Sequence, residues 1–108
     1  MATVKGILGQ SAPSASVLTD LYTVPADKSA TCRVIITERL GVIATFRISV
    51  GIGGAADDDS QYISFNRSIQ ANDTGSTIAF MVGPGDVVRV FASTAGLSFT
   101  CTGIELDN

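Results

Sequence analysis

The side chains that most often carry chemistry are thinly spread over this chain, and each grouping they form lacks a requirement. Histidine is absent, which removes Ser-His-Asp and Cys-His nucleophile devices, the usual imidazole base and most zinc sites together. Cys32 and Cys101 are the two cysteines, too few for a zinc knuckle, and both fall on apolar faces of expected strands. Asp57, Asp58 and Asp59 run consecutively at the end of a glycine-rich stretch, GIGGAADDD. Calcium loops instead space their ligands at alternate residues and draw further oxygens from downstream, so this run reads as a solvated loop. Glu38 and Glu105, with the aspartates, are the only material for a glycosidase pair, and nothing marks two of them as converging across a cleft. Gly51-Ile52-Gly53-Gly54 follows a strand pattern, yet no helix pattern opens behind it, so the phosphate-cradling reading lacks its structural context. The expectation is a protein without catalytic residues, metal or cofactor, and therefore not an enzyme.

What the sequence does specify is strands. From Ala30 to Thr37, Ala30, Cys32, Val34 and Ile36 fall on one face and Thr31, Arg33, Ile35 and Thr37 on the other, the two-residue period of a half-buried strand. The pattern restarts with Ala44, Phe46, Ile48 and Val50 against Thr45, Arg47 and Ser49. Two such runs with Glu-Arg-Leu-Gly between them read as a β-hairpin whose apolar face needs a covering layer.

Around that pair, Thr3–Leu8 reads as a short first strand. Val17–Val24 reads as a second, stopped by Pro25, which cannot donate to a ladder. Gln61–Phe65 is a short strand, and residues 66–73 carry the chain across the end of the sheets. Ser76–Val82 alternates with Ile78, Phe80 and Val82 opposite Thr77, Ala79 and Met81. Gly83-Pro84-Gly85-Asp86 is a strong turn signal. Val87–Ala92 is a central strand, and Leu97, Phe99 and Cys101 alternate in the last one. No segment keeps a 3.6-residue period long enough for a helix of three turns. The fold class expected is all-β: a single-domain antiparallel β-sandwich, jelly-roll-like, of about eight short strands. Residues 1–16 form an N-terminal strand or arm and 17–108 the sandwich domain.

At 108 residues the chain is one domain, able to bury roughly two-thirds of its unfolded surface. A net charge of −3 with seven scattered basic residues argues against nucleic acid, which demands clustered Lys and Arg. No run of eighteen apolar residues spans a bilayer, and no signal peptide is read at the N-terminus, so synthesis in a cytoplasm is expected. In that setting Cys32 and Cys101 are read as buried free thiols, with a bridge open to them if their strands are neighbours. Hydrophobic residues make up 45% and charged residues only 16%, below the usual quarter. Such a surface is either a Thr/Ser-rich sheet in water or a set of faces buried against other subunits. Arg33, Arg47 and Arg89 sit mid-strand opposite the main apolar rows, with Ile35, Met81 and Phe91 on comparable faces. Arginine with isolated large apolar residues is what protein–protein interfaces select, and these six are the interface candidates.

At LYTVPADKSATCRVIITER, through ATFRISV, and again at GPGDVVRVFASTAGLSFTCTGIE, the sequence resembles small all-β structural proteins of tailed bacteriophages. The likeness is carried by Leu21, Tyr22, Val24 and Pro25, by Thr45, Phe46 and Arg47, and by Gly85, Asp86, Gly103, Ile104 and Glu105. Asp27-Lys28 and Cys101 depart from the pattern at positions that concern turn and core. The resemblance implies a virion component, most like a capsid decoration (cement) protein on the outer capsid surface that clamps adjacent major capsid proteins. It further implies a homotrimer packed through uncharged faces, with the arm from Met1 to Ser16 or a loop edge on the shell. A tail, baseplate or fibre component is the alternative. A glycan-binding module is weaker, because lectin-like sites favour exposed aromatics and the chain has no Trp and only Tyr22 and Tyr62.

Overall fold

The structure is a computed structural model that describes residues 3–107, with side chains from residue 6 onward. Met1 and Ala2 of the expected N-terminal segment lie outside the described residues. Nine strands form two antiparallel sheets: β1 (Thr3–Ser11), β2 (Thr19–Thr23), β3 (Lys28–Glu38), β4 (Ala44–Gly51), β5 (Tyr62–Ile69), β6 (Thr74–Ser76), β7 (Phe80–Val82), β8 (Val87–Ala92) and β9 (Leu97–Asp107). One sheet has the order β1-β9-β3-β6, with β7 also on β3; the other is β2-β8-β4-β5. Counting β6 and β7 as one interrupted edge strand, this is the eight-strand wrap of a jelly roll. Two short 3₁₀ turns, Ile52–Gly54 and Asp59–Gln61, are the only helical segments among the described residues.

The alternating faces fall where their period places them. Val34, Ile36, Phe99 and Cys101 from one sheet meet Phe46, Ile48, Val88 and Val90 from the other, all almost fully buried. Phe46 and Phe99 pack edge to face across the gap with centroids 6.3 Å apart. Each such side chain contributes about 1.5–3 kcal/mol by leaving water. Cys32 and Cys101 are free and buried on adjacent strands, where Cys32 registers with Gly103 and Val34 with Cys101. The neighbouring Cys32 thiol and burial together hold the Cys101 thiol well above its ordinary range.

Three local expectations are corrected. β3 and β4 are not a hairpin, since β3 lies between β9 and the β6/β7 edge while β4 lies between β8 and β5. A hairpin would put both apolar faces in one layer, whereas residues 39–43 carry the chain over the end of the sandwich and set the two faces against each other. The stretch 76–82 is not one continuous strand. Its middle is diverted because Thr77 turns inward, its N–H donating to Val34 O at 3.0 Å and its Oγ1 accepting from Val34 N–H at 3.1 Å. Thr77 is buried and Ile78 is 83% exposed, the reverse of simple alternation. Residues 66–69 are strand rather than crossing loop: Asn66 adopts φ 50°, a bulge that lets β5 continue to Ile69.

Candidate interaction surfaces

The six interface candidates divide into two sets of three on opposite faces of the sandwich. Arg33, Ile35 and Met81 belong to the five-stranded sheet and Arg47, Arg89 and Phe91 to the four-stranded one.

On the outer face of the four-stranded sheet, Arg47 registers beside Phe91, and its guanidinium lies 4.5 Å from the Phe65 ring centroid and 4.6 Å from that of Phe91. Its Nε donates to Asn66 Oδ1 at 2.7 Å, an acceptor presented by the same bulge that bends β5. Tyr62 packs edge to face on Phe65 at 5.0 Å and its hydroxyl donates to Asp57 Oδ2 at 3.2 Å. Burial, then the Asp57 carboxylate, raise that phenol above its ordinary value. Phe65, at the centre of this strip, is 56% exposed. Arg47 is thus fixed before any partner arrives, so little side-chain entropy remains to be lost on docking.

Arg89 is occupied within its own chain. Its Nε donates to Asp20 Oδ1 at 3.2 Å and its Nη1 to Ala55 O at 2.7 Å, which ties the glycine-rich stretch 51–55 down onto the sheet. Two of the acids beyond it are engaged: Asp57 by the Tyr62 hydroxyl, and Asp58 accepting from the Ser60 hydroxyl at 2.7 Å, a bond that holds its carboxyl below the usual range. Among the described residues no three His, Cys, Asp or Glu side chains converge to hold a metal. Tyr22 is a core residue, buried and donating its hydroxyl to Glu105 across the sheets.

On the opposite face, register places Met81, Thr31 and Ile104 in one row, Arg33, Thr102 and Ile7 in the next, and Ile35 beside Thr100. Met81 is 82% exposed, with Ile7, Ile104 and Leu106 also exposed.

Sequence reasoning missed Phe65 and Asn66, whose roles depend on the bulge, and the chain reversal after β3. There Glu38, almost fully buried, accepts from the backbone N–H groups of Gly41 (2.7 Å), Leu40 (3.0 Å), Asn72 (3.1 Å) and Val42 (3.2 Å). That carboxylate fixes the backbone of residues 40–42, in a connection where Leu40, Val42 and Ile43 are exposed. The signal available was a run of exposed-length apolar residues, LGVI, in a connection where polar residues are usual.

No protein-family model matches the chain, and no curated protein matches it. Among solved structures, the fold is similar to a chain of infectious bursal disease virus Gt strain, with TM-score 0.57 and 8% identity over 96% of this chain and 30% of that one. A chain of the T13 IBDV viral particle gives TM-score 0.56 and 7% identity, again over 96% and 30%. A chain from the capsid of Ralstonia phage GP4 gives TM-score 0.48 and 16% identity, over 98% and 83%. This chain spans under a third of the length of the two bursal disease virus chains.

Proposed function

We propose that this chain is a virion structural protein, a capsid decoration (cement) protein that binds the outer capsid surface as a homotrimer and stabilises contacts between major capsid proteins. The observation that carries the reading is the outward strip of Arg47 clamped between Phe65 and Phe91. It is the arginine-and-aromatic composition that concentrates binding energy at protein interfaces, on a frame whose backbone is held by two full sheets. The jelly-roll wrap shared with chains from virus particles supports the same reading, as does the resemblance to phage structural proteins. Because Thr3–Ser11 is paired along β9, the shell contact is assigned to this strip rather than to a free N-terminal arm.

The test is binding to particles prepared without the protein. Wild type restores their resistance to heat. Arg47→Ala binds about thirtyfold more weakly, about 2 kcal/mol, while its own melting temperature stays within a few degrees of wild type. Equal binding by the variant, or no binding by either, overturns the assignment. Recovery of the protein only with tails would favour a tail, baseplate or fibre role.

A further inference from the structure

The outer face of the five-stranded sheet combines three properties. It carries no acid: its rows, read from the register, are Leu106 with Ser29, Ile104 with Thr31 and Met81, Ile7 with Thr102 and Arg33, Ile35 with Thr100 and Ser76, and Thr37 with Ser98. The chain as a whole has ten acidic residues against seven basic ones, so the acids are segregated away from this face. Arg33 supplies its charge.

The second property is apolar exposure. Met81 at 82%, Ile7 at 58%, and Ile104 and Leu106 at 41% stand out of a β surface otherwise made of Thr and Ser. The third is size. β3 and β9 each run eleven residues, β1 nine and the β6/β7 edge six, and each strand residue covers about 16 Å² at ~3.3 Å rise and about 4.8 Å strand spacing. The face therefore measures roughly 600 Å², and covering it with neighbouring copies removes about 1,200 Å² in total, at the lower edge of stable specific interfaces.

We infer that this face turns toward the threefold axis of the proposed trimer, where it packs against further copies of this chain, and is the surface through which the protein self-associates. The inference rests on the proposed homo-oligomer and adds the surface to it. A chain with net negative charge meets its own kind with least repulsion through the one broad face that bears no acid. The Thr and Ser hydroxyls can satisfy one another or Arg33 once water leaves, and the four exposed apolar side chains supply the non-directional gain.

The experiment is light scattering with size-exclusion chromatography on the full chain at tens of micromolar, comparing wild type with Met81→Lys, Ile104→Lys and, on the opposite face, Thr45→Lys, which lies outward between buried Ala44 and Phe46. Met81 is exposed enough that its replacement leaves the fold intact, which circular dichroism verifies. The expected result is an oligomer for wild type and Thr45→Lys and an 11 kDa species for Met81→Lys and Ile104→Lys. A monomeric wild type overturns both the self-association and this surface. An oligomer that persists in Met81→Lys and Ile104→Lys, or one lost equally in Thr45→Lys, overturns the surface while self-association stands.

Discussion

Glu38→Ala lowers the melting temperature by about 10 °C, the expected consequence of leaving four backbone donors without their acceptor. The carboxylate joins two connections that the sequence separates by more than thirty residues, because Leu40, Gly41 and Val42 follow β3 while Asn72 belongs to the turn between β5 and β6. Losing it frees the end of the sandwich where the chain passes from one sheet to the other. Glu38→Gln keeps the shape but turns an amide nitrogen toward N–H groups, so it recovers only part of the loss.

The same contacts give the site a pH signature. The N–H of Asn72, then those of Leu40, Gly41 and Val42, hold the Glu38 carboxyl below its ordinary value of 4.5, against the opposing effect of burial. A carboxyl depressed in the folded state stabilises it fully above the unfolded value and loses that contribution as pH falls through the folded one. Arg39 and Asp73 are the charged neighbours, and both are engaged elsewhere: Arg39 Nη2 donates to Ala95 O and Asp73 Oδ1 accepts from Thr74 N–H. Thermal melts from pH 6 to pH 3 therefore fall more steeply for wild type than for Glu38→Gln. Parallel curves would contradict the role given to this carboxylate.

Gly103→Ala is the second large effect. Gly103 registers between Gly6 of β1 and Cys32 of β3, and a Cβ there would stand 2.0 Å from Thr31 O and 2.8 Å from Cys32 Cα. Both are backbone atoms of a central strand, so relief requires β3 and β9 to part at the longest ladder in the fold. A cost of about 3 kcal/mol, or roughly 15 °C in melting temperature, is expected. Gly75→Ala is the control, because its added Cβ meets nothing within 4 Å and its melting temperature stays within a few degrees of wild type. Equal melting temperatures for the two variants would show that β9 does not approach β3 this closely.

The strand faces were legible because a period of two depends only on neighbouring residues, and Cys32, Val34, Ile36, Phe46 and Ile48 are buried as their spacing requires. The layer each strand joins was not legible. Alternation around 30–37 and 44–50 defines an inner face without saying whether two strands share a sheet or oppose each other, and the connection that sets them opposite is braced by Glu38 through donors spread over two loops. The six interface candidates were named by residue type and strand face, but their division between opposite sides follows from the same sheet assignment. Thr77 and Asn66 broke the reading in different ways: the Thr77 side chain takes the place of a ladder acceptor at Val34 N–H, and Asn66 adopts a positive φ that inserts a bulge, and each shifts the phase of what lies beyond it. Phe65 became part of the arginine cluster only through that shift.

An electron-microscopy reconstruction of the virus particle with this chain located in density tests the central claim most directly. The account predicts many copies spread over the outer capsid surface in threes, with the Arg47–Phe65–Phe91 strip against the major capsid protein and the Arg33–Met81–Ile104 face buried between copies. Density confined to the tail or baseplate, or absent from the particle, would contradict it.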